Sequence, residues 1–372
     1  MDGASQQEIS TRLLRFAEEA AGASPLYQHL ALQAAEDAEV SGLLTAAGKQ
    51  AAKPTLLFAA AHRLVIAEPI SQLATSYPSV GGTYGVDGAV WPLFREFVLA
   101  RADRMRALIE THTTQTNEVR RAALIYPAMV LAAKQAKAPI GLLEVGASAG
   151  LLLGIDRYGY RYTLPDGEQL SAGPTKATLV LRTRLELADG ATLPALPRKL
   201  SIAGKVGLDR APVDLTDDEA LAWLEACIWA DQPGRLRRLG LAAAAQRGDR
   251  PTLVTGDAVD DLAAAAERFP DDAPLVVLTS HSLVYLSERR RAEFVDVLGR
   301  LAGGRPLWWV SQEVYEAGLH LVLPDREELR WREDDGQPRV TLGLVRWLAG
   351  RPVGAALART SGHGEQLVWL DG

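Results

Sequence analysis

The pattern of apolar residues changes near residue 138, and this change limits the folds that the chain can adopt. Residues 139–145 form a short apolar run that ends at a glycine, which predicts a buried strand. Residues 146–150 form a turn with a glycine at each end, and 149–158 has helical spacing. A strand, a glycine turn and a helix in this order predict one unit of an α/β sheet.

Upstream of this unit the sequence has helical periodicity alone. Apolar residues repeat on one face over 8–21 and over 27–47, and Pro54 begins a third helical stretch. The alternation typical of strands does not occur before residue 138. We therefore predict an all-helical N-terminal domain over 1–135, which caps the edge of the sheet.

Downstream, strand and helix patterns alternate and then give way to strands alone. Apolar runs at 251–255, 274–279 and 306–310 are separated by helical stretches, which predicts a mostly parallel sheet. The last 33 residues, from 340 on, read as consecutive strands, which predicts an antiparallel edge. We expect one α/β domain over 136–372, with an insertion at about 165–250.

Charge and cysteine content exclude several classes of protein. The formal net charge is −6, so an electrostatic nucleic-acid interface is not expected. The chain has one cysteine, Cys227, and its histidines lack the spacing of metal ligands, so no metal site is predicted. The N-terminus lacks a signal-peptide pattern and no apolar run has membrane-spanning length, so we expect a cytoplasmic protein without membrane contact.

The glycine turn is placed to hold a nucleotide-like cofactor. Glycine permits close backbone approach, and a helix N-terminus after the turn offers free N–H groups. A carboxylate at Asp257, after a later strand, is placed for an adenine amino group, and Asp166 lies about 20 residues beyond the turn, where a ribose is met. The predicted cofactor residues are Glu144, Gly146, Ala147, Ser148, Gly150, Asp166, Asp257 and Ala258.

These residues carry a resemblance to a known superfamily. Residues 144–150 are similar to the acidic, glycine-rich loop of class I S-adenosyl-L-methionine (SAM) methyltransferases, with Ser148 in place of the middle glycine, and 256–258 resembles their adenine-side motif. The resemblance implies a Rossmann-like fold, SAM as the cofactor, and methyl transfer to a small molecule or peptide. The whole chain also resembles a bacterial family known only as domain of unknown function 2332, through residues 114–118, 143–151, 156–158, 281–282 and 285–286.

Three further polar segments are predicted to line the pocket. His281 follows a strand at the productive edge of the sheet, and an ordinary histidine pKa near neutrality suits a general base. The residues predicted to contact substrate or to line the pocket are Gln115, Asn117, Glu118, Arg120, Ser280, Tyr285 and Glu313. The alternative for residues 113–121 is a helix cap at Thr116 or Asn117 with solvated charges, and for His281 it is a structural histidine bonded to backbone.

Four other interpretations of the glycine turn remain open. The segment 146–150 satisfies Gly-x-Ser-x-Gly, which predicts a serine hydrolase with Ser148 as nucleophile. Ser148 alternatively caps the helix expected from Ala149. A dinucleotide enzyme, or a SAM-like fold used as a non-catalytic binding or regulatory module, uses the same residues.

Overall fold

Two units make up the part of the chain that the computed structural model describes, residues 4–48, 52–330 and 340–370. The first unit contains the residues up to Asn117 together with Asp214–Arg237. The second contains Glu118–Val213 and Arg238–Gly372. The boundary therefore lies at 117/118, where the sequence predicted 135/136, because the helix over 121–136 packs on the sheet of the second unit.

The described residues of the first unit form helices and turns. Its helices are α1 Gln6–Ala20, α2 Pro25–Glu36, α3 Ala38–Gly42, α4 Pro54–Ala67, α5 Val90–Leu99, α6 Ala102–Thr111 and, after the second unit's first strands, α8 Asp218–Ala226. Local signals define their starts, since Ser5 and Glu8 form a capping box on α1 and Ser24 caps α2 ahead of Pro25.

The segment 214–237 completes the core of the first unit. Trp229 lies edge-on to Phe16 and near Tyr27, and Asp231 accepts hydrogen bonds from Ser24 Oγ at 2.7 Å and from Leu26 N at 3.2 Å. These contacts join parts of the chain separated by more than 200 residues. Helix α2 is therefore held at its N-terminus by a residue that the sequence pattern assigned to an insertion.

The second unit is built on one eleven-stranded sheet. Its strands are β1 Ile140–Val145, β2 Gly159–Thr163, β3 Gln169–Ala172, β4 Val180–Leu187, β5 Ile202–Asp209, β6 Thr252–Thr255, β7 Leu275–Ser280, β8 Leu307–Val314, β9 Val340–Leu348, β10 Arg351–Thr360 and β11 Gln366–Trp369. The spatial order is β3-β2-β4-β11-β10-β9-β8-β7-β1-β5-β6. The predicted mixture of a mostly parallel sheet with antiparallel C-terminal strands is confirmed.

Five parallel strands form the half of the sheet that contains the glycine turn. They lie in the order β6-β5-β1-β7-β8, so β1 is flanked by β5 on one side and β7 on the other. Numbered along the chain, these five strands have the order 3-2-1-4-5, and the order reverses between β1 and β7. The segment 165–250, predicted as an insertion, thus supplies the strand next to β1.

Helices cover both faces of this half. Trp309 on β8 lies edge-on to Phe294 of α11 Glu288–Ala302, while Trp308 Nε1 donates to Gln135 of α7 Arg121–Ala136. Because successive residues of a strand point to opposite faces, α7 and α11 lie on opposite sides of β8. The remaining helices are α9 Pro233–Gln246, which crosses the boundary at Arg237, and α10 Leu262–Ala266. Within the described residues no helix has both the length and the apolarity needed to span a bilayer.

Candidate functional site

The glycine turn closes tightly over the end of β1. Gly146 and Gly150 have φ of +78° and +67°, which favours glycine at both positions. Gly146 N donates to Leu208 O at 2.8 Å, and Gly150 N donates to Ala147 O at 2.7 Å. A Cβ on Gly146 would lie 2.5 Å from Ser282 Cβ, so no larger residue fits without movement.

No α-helix follows the turn, so the helix predicted over 149–158 is wrong. Leu151–Gly154 forms a 3₁₀ turn instead. Tyr158 Oη donates to Leu151 O at 2.6 Å and Gln246 Nε2 donates to Gly150 O at 3.1 Å, so side chains occupy the carbonyls that helical N–H groups would use. The turn is therefore followed by a 3₁₀ turn and not by an α-helix N-terminus, and Gly150 rather than Ser148 precedes it.

Ser148 itself has an unusual backbone conformation. Its φ is +50°, its side chain is buried, and its N–H donates to Asp209 Oδ2 at 2.7 Å. Ala147 is buried beside it. A left-handed backbone at a non-glycine residue is uncommon and strained, so this turn is held in place by its surroundings.

Glu144 lies at the C-terminal end of β1 and is 3% exposed. Its Oε2 has no hydrogen-bond partner among the described residues. Burial, reinforced by the charge of Asp209 and opposed by Arg121, raises the pKa of Glu144 well above its usual value. A buried carboxyl oxygen without a donor is costly to keep, which marks Glu144 as a candidate binding group.

Asp209, rather than Asp166, is the acidic residue at the turn. It ends β5, accepts from Ser148 N, and accepts from Ala211 N at 2.9 Å. Asp166 lies exposed in the turn between β2 and β3, seven strand positions from β1, where its Oδ1 accepts from Glu168 N. Counting 20 residues from the turn found the wrong carboxylate because β2, β3 and β4 intervene before the strand that neighbours β1.

The carboxylate of Asp257 is already engaged by its neighbours. Its Oδ2 accepts from Arg210 at 2.6 Å, and its Oδ1 accepts from Arg290 at 2.6 Å and from Val259 N at 2.9 Å. Partial burial acts to raise its pKa, but these donors outweigh burial and hold the pKa of Asp257 below its usual value. Ala258 follows in the same half-buried loop. The oxygens that the sequence assigned to adenine thus hold this loop to α11.

His281 lies directly beyond β7, at a φ of +53°. Its backbone N–H donates to Gln312 O at 3.1 Å. Its ring Nε2 is buried and has no hydrogen-bond partner among the described residues. Burial, together with the charges of Arg121 and His363, lowers the pKa of His281 to about 3. The expectation of a pKa near neutrality is therefore wrong, and a histidine with so low a pKa is a weak base.

Glu313 on β8, and not His281, has a pKa near neutrality. It is 1% exposed, and its Oε1 accepts from Ser282 N at 2.9 Å and Leu283 N at 3.2 Å. Its Oε2 has no partner among the described residues. Burial, opposed by these donors and by Arg121, raises the pKa of Glu313 to about 7.

Arg121 was missed by the sequence analysis, which chose Arg120 beside it. Arg121 is 7% exposed, donates from Nε to Gly362 O at 2.9 Å, and acts electrostatically on Glu144, Glu313 and His281. Arg120 instead donates to Arg182 O at 3.0 Å and pairs with Glu365 at 3.1 Å. Arg121 is the first residue of α7 and Arg120 precedes the helix, so the position of the helix start separates the inward arginine from the outward one.

The other predicted pocket residues are dispersed. Glu118 is buried and its Oε1 accepts from Arg120 N at 3.0 Å, whereas Gln115 and Asn117 belong to the first unit. Ser280 Oγ donates to Gln312 Oε1 at 2.5 Å. Both residues lie on the face of the sheet that carries Glu144. Tyr285 is 78% exposed. Ser280 and Glu118 thus have partners within the second unit, and Tyr285 faces solvent.

The comparisons with known proteins identify a family. A family model described as an uncharacterized protein conserved in bacteria (DUF2332) matches residues 10–369. The chain belongs to this family. No curated protein matches it. The family description carries no activity, so the site has to be interpreted from its own geometry.

Proposed function

We propose that the second unit binds S-adenosyl-L-methionine at the carboxyl edge of β1, β5 and β7, and transfers its methyl group to a small molecule or peptide. The buried Glu144 Oε2, which lacks a donor, carries this proposal. The order 3-2-1-4-5 is that of doubly wound nucleotide-binding sheets, in which ligands bind where the order reverses. Glu144 and the glycine turn lie at that point.

The charge of the site favours this cofactor over a dinucleotide. Glu144 and Asp209 place two carboxyl groups at the turn, and no α-helix N-terminus follows it. A pyrophosphate would be repelled by Asp209, would disfavour ionisation of Glu144, and would lack the N–H donors of an α-helix N-terminus. SAM carries a sulfonium and an ammonium group, and both are attracted to carboxylates. The sulfonium also makes the methyl carbon electrophilic when the cofactor is bound.

The residues present fit the two ends of such a ligand. Asp209 lies at the end of the strand next to β1, where doubly wound sheets place the carboxylate that accepts from ribose hydroxyls. Glu144 offers Oε2 to a cationic donor, and Arg121 nearby moderates the charge of the site. Ionisation of Glu144 on binding would release its proton.

Calorimetry of the full chain with SAM and with S-adenosylhomocysteine tests the proposal. We expect micromolar binding of both ligands, and release of a proton that appears as a dependence of the heat on the buffer's ionisation enthalpy. Glu144→Gln should weaken SAM binding, whereas Glu267→Gln, on an exposed residue, should not. Absence of any heat with both ligands would reject the cofactor.

A serine hydrolase is the second candidate, and the positive φ of Ser148 favours it, since nucleophile turns are strained in this way. The 3₁₀ turn after Ser148 differs from the helix that such enzymes place there. A fluorophosphonate probe distinguishes the two: labelling that is lost in Ser148→Ala would establish the hydrolase and displace the SAM proposal.

A further inference from the structure

Glu313 is a carboxyl group with one oxygen fixed and the other without a partner. Its Oε1 accepts from Ser282 N, Leu283 N and, at 3.3 Å, Ser282 Oγ, so the group cannot rotate freely. Ser282 also contacts Gly146, where a Cβ would lie 2.5 Å from Ser282 Cβ. The carboxyl group is therefore held beside the glycine turn with Oε2 unoccupied.

Two hydroxyl groups on the same face share this property. Glu313 pairs with Thr341 across the β8–β9 ladder, and Ser311 lies two residues before Glu313 on β8. Residues two apart on a strand, and directly opposite residues on neighbouring strands, point to the same face. Ser311 Oγ and Thr341 Oγ1 are buried and have no hydrogen-bond partner among the described residues.

The backbone of Gly318 lies against two of these three residues, Ser311 and Glu313. A Cβ on Gly318 would lie 2.5 Å from Ser311 Oγ and 2.9 Å from Glu313 Cβ, so any larger residue there would intrude on them. Buried polar atoms are normally hydrogen-bonded, so a bound group that supplies donors would satisfy these three oxygens. A primary ammonium group has three N–H donors and a charge that complements a carboxylate.

We propose that Glu313 Oε2, Ser311 Oγ and Thr341 Oγ1 bind a primary ammonium group, and that its nitrogen is the methyl acceptor. This inference rests on the proposed function for the identity of the methyl donor. The ammonium proton moves to Glu313, the freed nitrogen lone pair forms the N–C bond, and the C–S bond breaks with its electron pair remaining on sulfur. The sulfonium thereby becomes a neutral thioether, so charge and atoms balance.

Nuclear magnetic resonance of the full chain, labelled with [δ-¹³C]glutamate, tests the ammonium site without SAM. The Glu313 resonance is identified as the one that disappears in Glu313→Gln. Butylammonium chloride is expected to shift this resonance saturably, whereas tetramethylammonium chloride, which has no N–H donor, should leave it unchanged. Ser311→Ala with Thr341→Val should abolish the shift and retain the resonance, and Glu267→Gln should alter neither.

The outcomes separate this inference from the proposed function. If both ions shift Glu313, or neither does, the three oxygens hold water or nothing and the ammonium site is rejected. If butylammonium alone shifts the Glu313 resonance but S-adenosylhomocysteine does not bind, SAM is rejected as the methyl donor. The role of the ammonium nitrogen as methyl acceptor is then rejected too, whereas the ammonium site itself is supported. Where both bind, tritiated SAM with primary amines should yield labelled amines, and Glu313→Gln should slow transfer roughly 100-fold. Label in carboxylic acids instead would overturn the acceptor class.

Discussion

At the scale of single residues, Glu144 and Glu313 are acids whose burial disfavours their charged forms. The pKa of Glu313 is raised to about 7, above its value in an unfolded chain, so the folded state binds more protons between these two values. By linkage, the stability of the chain is fully retained below the unfolded pKa and falls as pH rises through about 7.

Glu313→Gln should therefore stabilise the chain selectively at high pH. We expect little change at pH 5 and a gain of up to about 3 kcal/mol in the free energy of unfolding at pH 8, because glutamine has no charged form to bury. Urea denaturation at the two pH values measures this. An equal effect at both would show that Glu313 does not titrate as the structure indicates.

Glu144→Gln should separate binding from folding. The variant is expected to unfold at the same or higher temperature than the parent above neutral pH, since it removes a buried acid with an unpaired oxygen. It should nevertheless weaken SAM binding by about tenfold or more, which corresponds to roughly 1.4 kcal/mol. Differential scanning calorimetry measures the unfolding temperature, and titration calorimetry measures the affinity for SAM. A lower unfolding temperature with unchanged affinity would mean that Glu144 is purely structural.

At the scale of elements, the glycine turn offers a matched pair of substitutions. Gly146→Ala places a Cβ at positive φ and 2.5 Å from Ser282 Cβ, whereas Gly167→Ala places one at φ +87° with nothing within 4 Å. Both incur a left-handed backbone cost of about 1 kcal/mol, but only the first adds a clash, so we expect it to cost about 1–3 kcal/mol more. Urea denaturation measures the difference.

A second substitution, at Ser282, tests whether the clash causes the extra loss of stability in Gly146→Ala. Ser282→Gly removes the atom that the new Cβ would meet, so the double variant Gly146→Ala with Ser282→Gly should recover the clash component but not the backbone component. Additive losses in the double variant would contradict a direct contact between the turn and Ser282.

At the scale of the whole molecule, the first unit depends on a segment that arrives late in the chain. Asp231→Ala removes the acceptor for Ser24 Oγ and Leu26 N, so α2 loses the group that holds its first turn. We expect a loss of about 2 kcal/mol and faster amide exchange confined at first to α2. Asp103→Ala, on a fully exposed side chain of the same unit, should change neither. Uniform loss of protection would argue against a local cap.

The sequence was most informative where a local pattern sufficed. The apolar run at 139–145, the later strand–helix alternation and the closing strands predicted β1, β7, β8 and the antiparallel pairs, because apolar spacing reports directly which face is buried. It was least informative over 165–250. There, β5 was read as part of an insertion, although it lies next to β1 in the sheet.

What the chain itself determined is the alternation of strands and helices and the glycine bend after β1, because both follow from neighbouring residues. The tertiary structure alone decided that Asp209 and not Asp166 reaches this bend, that Arg121 and not Arg120 turns inward, and that Glu313 and not His281 has a pKa near neutrality. The physical reason is that a side chain's charge state depends on burial and on partners distant in sequence, which no local pattern encodes.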